Sequence, residues 1–237
     1  MSAFLKDIKN YRKKFIEYFF TKTSTTAIEK IMKKKRGEHV DFSPKDDFIL
    51  EISQPLAEIE SVYSLLLFSP IIINSTNYNY VRKGVSAVEQ FKYHWEFYIN
   101  QLYILNQRLN KILDILIKKT KNEEKNYLKN KKKQVNNSFD AILKVRGAHV
   151  HDRKYSDPDL YNMELIDKAL TIEKKINKKK RGTKEFEQDL KFYLSNNRKK
   201  WKKTMLENNQ KIEELLDNLY YNIFEDSNNF FNITINK

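Results

Sequence analysis

The segment Arg146-Gly147-Ala148-His149-Val150-His151-Asp152 sets a guanidinium, two imidazoles and a carboxylate within seven residues. Such a set can cleave RNA without a metal. An imidazole takes the proton of a ribose 2′-hydroxyl, and a guanidinium holds the phosphoryl oxygens on which charge grows as the 2′-oxygen attacks. Elsewhere the sequence holds no cluster of comparable chemical density. His149 and His151 with Asp152 also allow a metal-site reading, but imidazoles two residues apart diverge on a helix, so neither a metal nor another cofactor is expected.

The elements that must position this cluster are read from apolar periodicity. Over about 85–119, Phe91, Trp95, Tyr98, Leu102, Leu105, Leu109, Ile112 and Leu116 alternate spacings of four and three, the seam of a helix packed on another helix. A polar turn at Thr120–Asn122 follows, and a helix over 123–150 carries Leu128, Val135, Phe139, Ile142 and Val145 on one side. Two long helices with so short a connection pack antiparallel. Folded about residue 120, the hairpin sets Arg146 level with position 94, which is a histidine.

Around the helix axes, His94 falls about 40° from Tyr98, Arg146 about 40° from Ile142 and His149 about 20° from Ile142. Polar groups are thus expected to meet at one end of an apolar seam. His151 falls about 180° from Ile142 on a regular helix, so it reaches the same cleft only if the helix unwinds near Gly147–Val150, which Gly147 permits. Each residue also has a plainer role. Cations suit a helix C-terminus for dipole reasons, and His94 and His149 suit a hydrogen-bonded core.

The spacing Arg146-x4-His151, with the helix start Ser156-Asp157-Pro158-Asp159 after it, resembles the R-x4-6-H motif of the HEPN superfamily. These are small helical-bundle proteins, many of them metal-independent ribonucleases of toxin–antitoxin, abortive-infection and CRISPR-associated systems. The resemblance covers about residues 85–175. It implies that Arg146 and His151 are catalytic, with His149 the second candidate base; His94, by its place on the seam, and Asp152, which either orients a histidine or pairs with Arg153, are read from the residues themselves as supporting. It further implies a 2′,3′-cyclic phosphate product, a homodimer whose two motifs line one groove, and an antitoxin or other defence-system partner.

Composition bounds the rest. Among 237 residues Gly and Pro number 4 each while charged residues reach 32%, which favours long helices over a turn-rich sheet. The formal net charge of +14 implies attraction to polyanions: nucleic acid, an acidic partner or an anionic membrane surface. There are no cysteines, which excludes disulfides, thiolate metal sites and a cysteine nucleophile. Residues 1–20 are charged throughout, unlike a signal peptide. The longest apolar run, Leu65–Phe68 with Ile71–Ile73, is interrupted by Pro70 and reads as too short to span a bilayer. A cytoplasmic protein without a membrane partner is expected. Of the basic runs, Lys178, Lys179, Lys180 and Arg181, and Lys199 and Lys200 beside Trp201, are the expected RNA contacts. Trp201 is itself in register with an apolar face, which favours core packing.

The expected architecture is all-α: an antiparallel helical bundle built on the long hairpin, with an N-terminal helical extension and a long C-terminal helix. Three parts are expected, an N-terminal helical region over 1–80, the bundle over 84–225 and a tail over 226–237. Helices are expected over 3–20 and 25–35, the latter stopping at Gly37. Another is capped by Asp46 or Asp47 and ends near Phe68 at Ser69-Pro70, and one runs from the Ser156 start to about Ile176. A last helix over 184–225 carries Phe186, Leu190, Tyr193, Trp201, Ile212, Leu215 and Leu219, and its length predicts a kink near Ser195–Asn197 or exposure to a second subunit. The rival reading from another functional class is a non-catalytic helical adaptor that dimerises and binds RNA or protein.

Overall fold

The computed structural model describes residues 11–20, 24–75, 83–120, 122–152, 158–176 and 183–221. Among them are seven α-helices: α1 (Tyr11–Tyr18), α2 (Ser24–Lys35), α3 (Pro44–Ile72), α4 (Ala87–Lys119), α5 (Asn122–Asp152), α6 (Pro158–Ile176) and α7 (Thr183–Tyr220). No strand occurs among the described residues. The fold is an all-α helical bundle.

Local chemistry explains the boundaries. α2 ends in a Schellman turn, in which Gly37 adopts φ 84°, the amide of Glu38 donates to Lys33 O at 3.2 Å and that of Gly37 to Lys34 O at 3.0 Å. The cap of α3 is Ser43 rather than Asp46 or Asp47. Asp46 N donates to Ser43 Oγ while Ser43 N donates to Asp46 Oδ2, a reciprocal capping box with Pro44 at the first helical position. Burial would raise the Asp46 pKa, but Lys30 at 2.6 Å and the Ser43 hydrogen bonds hold it at about 2. Ser86 and Glu89 form a second capping box at the start of α4.

α3 does not stop at Phe68. It continues through Pro70, which lacks the amide that would bond Leu66 O; the Asn209 side chain supplies that bond instead, Nδ2 donating to Leu66 O at 2.7 Å. So extended, Asp46–Ile72 is long and apolar enough to cross a membrane, although 44% of its most apolar window is already buried within the protein. α7 runs uninterrupted through Ser195–Asn197, where either a kink or exposure to a second subunit was expected. Asn197 Nδ2 donates to Tyr193 O of its own helix (3.0 Å) and lies 3.8 Å from Met163 Sδ.

The chain divides into two compact units that are not consecutive stretches, and α3, α4, α5 and α7 contribute residues to both. The first comprises residues 1–62, 105–138 and 210–237, with a core of Ile52, Leu56, Ile59, Leu105, Leu109, Leu116, Val135 and Leu216. Within it the hairpin is antiparallel: Asn110 meets Asn136 at 2.8 Å and Asp114 meets Lys132 at 2.7 Å. The second comprises residues 63–104 and 139–209, with Leu66, Phe91, Trp95, Tyr98, Leu102, Met163 and Met205 buried. All eight seam residues expected on α4 are buried.

Candidate functional site

Arg146, His149, His151 and Asp152 lie in the last two turns of α5, which stays α-helical to Asp152. Their side chains, and those of Ile142 and Val145, lie outside the described residues. The unwinding near Gly147–Val150 that would have turned position 151 toward the seam does not occur. On a continuous helix, position 149 stands about 60° from position 146, whereas position 151 stands about 140° away. The helix therefore sets Arg146 and His149 on one side and His151 on another. The pairings 110/136 and 114/132 also fold the hairpin about position 123. The expectation that His94 stands level with Arg146 rested on a fold about 120 and does not hold on this register.

His94 occupies α4 in the second unit, half-buried, with the ring of exposed Tyr93 edge-on at 5.7 Å. Its Nδ1 is buried and has no hydrogen-bond partner among the described residues. The neighbouring contacts identify what faces it. Trp95 meets Trp201 edge to face at 5.6 Å, and Tyr98 donates toward Asn209 Oδ1 at 3.2 Å. α4 and α7 thus run parallel here, and the charge felt at His94 is that of Arg198. Burial first, and the Arg198 guanidinium second, hold the imidazole pKa below its ordinary value, so His94 is neutral at pH 7. Arg198 Nη2 also approaches Ser75 O at 3.4 Å.

This pairing predicts a measurable shift. Arg198→Ala removes the second cause and is expected to raise the His94 pKa toward the model-peptide value of about 6.5, read by NMR titration of its ring protons. An unmoved titration would show that Arg198 does not act on this ring. The linkage has a definite sign. The unfolded imidazole takes a proton more readily than the folded one, so this contribution to stability is present above about pH 6.5 and is lost as pH falls through the folded pKa.

Of the expected RNA contacts, Lys199 is exposed, and Lys200 is exposed but paired with Asp159 at 2.7 Å. Lys178, Lys179, Lys180 and Arg181 lie outside the described residues. Trp201 packs against Trp95 rather than standing free for a base. Sequence reasoning missed Arg198 as the neighbour of His94. The signal was present in the pairing of the two tryptophans, Trp95 and Trp201, each one helical turn or less from the pair.

No group of three histidine, cysteine or carboxylate side chains able to hold a metal occurs among the described residues. The class defined so far is an all-α bundle whose long hairpin ends in an Arg/His-rich turn. No family model, curated protein or solved structure matches the chain.

Proposed function

We propose that the protein is a metal-independent endoribonuclease of HEPN type that cleaves single-stranded RNA, acting as a homodimer in toxin–antitoxin or anti-phage defence. The observation that carries this reading is the Arg146-x4-His151 spacing at the C-terminal end of the second helix of an antiparallel hairpin. Arg146 stabilises the phosphoryl oxygens. A histidine takes the 2′-hydroxyl proton, and its conjugate acid or a second histidine returns a proton to the leaving 5′-oxygen, giving a 2′,3′-cyclic phosphate and a free 5′-hydroxyl. Because α5 is continuous, His149 is the base that one helix can offer beside its own Arg146. His151 serves where a second copy supplies the other half of the groove.

The test is incubation of purified protein with labelled single-stranded RNA in EDTA beside the single variants. Cleavage is expected to survive chelation and to fall by about 10²–10³-fold in Arg146→Ala. His149→Ala and His151→Ala then say which imidazole is the base. Cleavage that needs a divalent ion, or that Arg146→Ala leaves intact, overturns the reading. A second reading, a non-catalytic adaptor, has one observation in its favour: Leu65, Phe68 and Ile71 are exposed along α3, an apolar stripe suited to a protein partner. RNA bound and left whole supports the adaptor.

A further inference from the structure

α3 carries no charged residue after Glu60, and the sequence has none until Arg82, in a chain of which 32% is charged. A helix buried all round would explain that run, but the outer side of this one is open. Leu65, Leu67, Phe68 and Ile71 are 38, 48, 51 and 64% exposed. Around the helix axis they cover an outer arc roughly 160° wide. Within that arc the only polar side chain between Tyr63 and Ile73 is Ser64. Leu66, Ser69 and Ile73, on the inner side, are buried. A contiguous apolar arc of this width is more than scattered surface hydrophobics and marks an interaction surface.

α7 borders the arc. Asn209 Nδ2 donates to Leu66 O at 2.7 Å and Arg198 Nη2 approaches Ser75 O at 3.4 Å, so α3 and α7 run antiparallel in the second unit. That register sets Leu206 level with Phe68, and Lys202 level with Ile72. From Arg198, the positions of Lys202, Leu206 and Lys199 stand about 40°, 80° and 100° around the axis. All three lie on the side away from Trp201, which packs on Trp95 of α4. Leu206 and Lys199 are exposed and Lys202 is half-buried. Leu206 thus extends the apolar surface, and the two lysines edge it. α7 holds no carboxylate between Asp189 and Glu207, and neither Lys199 nor Lys202 meets one among the described residues.

An apolar centre with a cationic, acid-free edge is complementary to an anionic lipid surface. Apolar side chains enter the acyl boundary while lysines stay with the phosphate headgroups, their stems lying along apolar surface. An apolar protein partner would leave the lysine edge unanswered. A second copy seated by two-fold symmetry would set the same cationic patch against itself. RNA would want stacking rings, and Phe68 is the one aromatic in the arc. Spanning is excluded by length: the charge-free part of α3, residues 61–72, is roughly 18 Å long against a hydrocarbon core of about 30 Å.

We propose that the outer face of α3 and the adjoining edge of α7 dock on an anionic phospholipid bilayer. Leu65, Phe68 and Ile71 enter the acyl boundary, and Lys199 and Lys202 meet lipid phosphates. α3 then lies in the membrane plane with one face in the protein and the other in lipid. This surface does not depend on RNA cleavage at the end of α5.

The test is flotation of the full chain with vesicles of phosphatidylcholine alone, and of phosphatidylcholine and phosphatidylserine in equal parts. Binding to the mixed vesicles is expected to be about tenfold or more stronger than to phosphatidylcholine, and to weaken as salt rises. Phe68→Ser/Ile71→Ser, at two outward positions and checked for unchanged circular dichroism, is expected to weaken it about tenfold or more. Lys199→Glu/Lys202→Glu is expected to weaken it as much, while leaving binding to phosphatidylcholine unchanged. Absence of flotation with the mixed vesicles, or equal binding to both kinds, overturns the proposal. So does binding that Phe68→Ser/Ile71→Ser leaves intact, which would show that the net charge alone holds the vesicles. A dimer in sedimentation velocity that Phe68→Ser/Ile71→Ser dissociates, with no vesicle binding, overturns it in favour of a second copy. A monomer that floats with neither vesicle overturns it and leaves the stripe to a protein partner.

Discussion

Arg12→Met is expected to destabilise the protein by about 3 kcal/mol at pH 7 and by distinctly less at pH 5. Arg12 lies on α1 and is buried, with its guanidinium bonded to Glu60 of α3 and its backbone amide donating to Asp217 of α7 at 3.2 Å. Fully buried Tyr220 stands beside Glu60. Burial raises the pKa of both Glu60 and Asp217; the Arg12 guanidinium, with the Tyr220 hydroxyl, opposes the rise at Glu60, and at Asp217 the Arg12 backbone amide opposes it first and the Arg12 charge second. Removing that charge leaves two carboxylates close to one another in a poorly solvated place. Methionine keeps most of the volume, so the loss reports charge rather than a cavity.

The pH dependence follows from the sign of these shifts. A carboxylate whose folded pKa lies above its unfolded value contributes stability that is complete below the unfolded pKa and is lost as pH rises through the folded one. Arg12→Met pushes both values higher, so the variant loses most at neutral pH and recovers as protonation neutralises the pair. Urea denaturation at pH 5 and pH 7 reads the difference directly. An equal loss at both pH values would mean that Arg12 acts through packing alone.

How much of this fold was legible beforehand depends on which residues carried each stripe. The α4 seam is built from Phe, Trp, Tyr, Leu and Ile at three–four spacing, and every expected member is buried. α7 was read through Phe186, Leu190, Tyr193, Trp201, Ile212, Leu215 and Leu219; Ile212 and Leu219 are buried, yet Phe186 and Tyr193 are exposed. Its buried stripe runs through Leu194, Asn197, Met205, Asn209, Ile212, Leu216 and Leu219. Two of those are asparagines, which any apolar count discards: Asn209 is satisfied from α3 and α4, and the Asn197 amide nitrogen bonds Tyr193 O of its own helix. The end of α3 was misplaced for the same reason, since the group that lets the helix pass Pro70 comes from residue 209.

The candidate site was legible differently. Residue types and spacing at 146–152 were enough to frame the chemistry, and so was the helix carrying them. Its phase was not, because Gly147 permits a break without requiring one, and only the backbone decides that position 151 points away from position 146. The level of His94 depended on the turn. Moving the fold from 120 to 123 changes the pairing by six residues, nearly two helical turns.

Asn209→Ala is expected to cost about 2–4 kcal/mol, and Pro70→Ala is expected to return part of it. Asn209 is 4% exposed and serves two partners: its Nδ2 donates to Leu66 O at 2.7 Å, and its Oδ1 accepts from Tyr98 at 3.2 Å. Truncation leaves the Leu66 carbonyl buried without its donor, because the residue one turn on is Pro70 and has no amide hydrogen. It leaves the Tyr98 hydroxyl with Met205 O, at 3.5 Å, and the Asn208 side chain. Pro70→Ala puts an amide back where an uninterrupted α-helix would have one, so it can satisfy Leu66 O from within α3. That rescue is of value only when Asn209 is gone. In a double-mutant cycle the effect of Pro70→Ala should therefore be more favourable in the Asn209→Ala background than in the wild type by about 1 kcal/mol. Denaturant melts of the four proteins measure the coupling. Effects that simply add would mean that Asn209 holds α7 in place through Tyr98 alone, and that the passage of α3 through Pro70 owes nothing to the bond at Leu66 O.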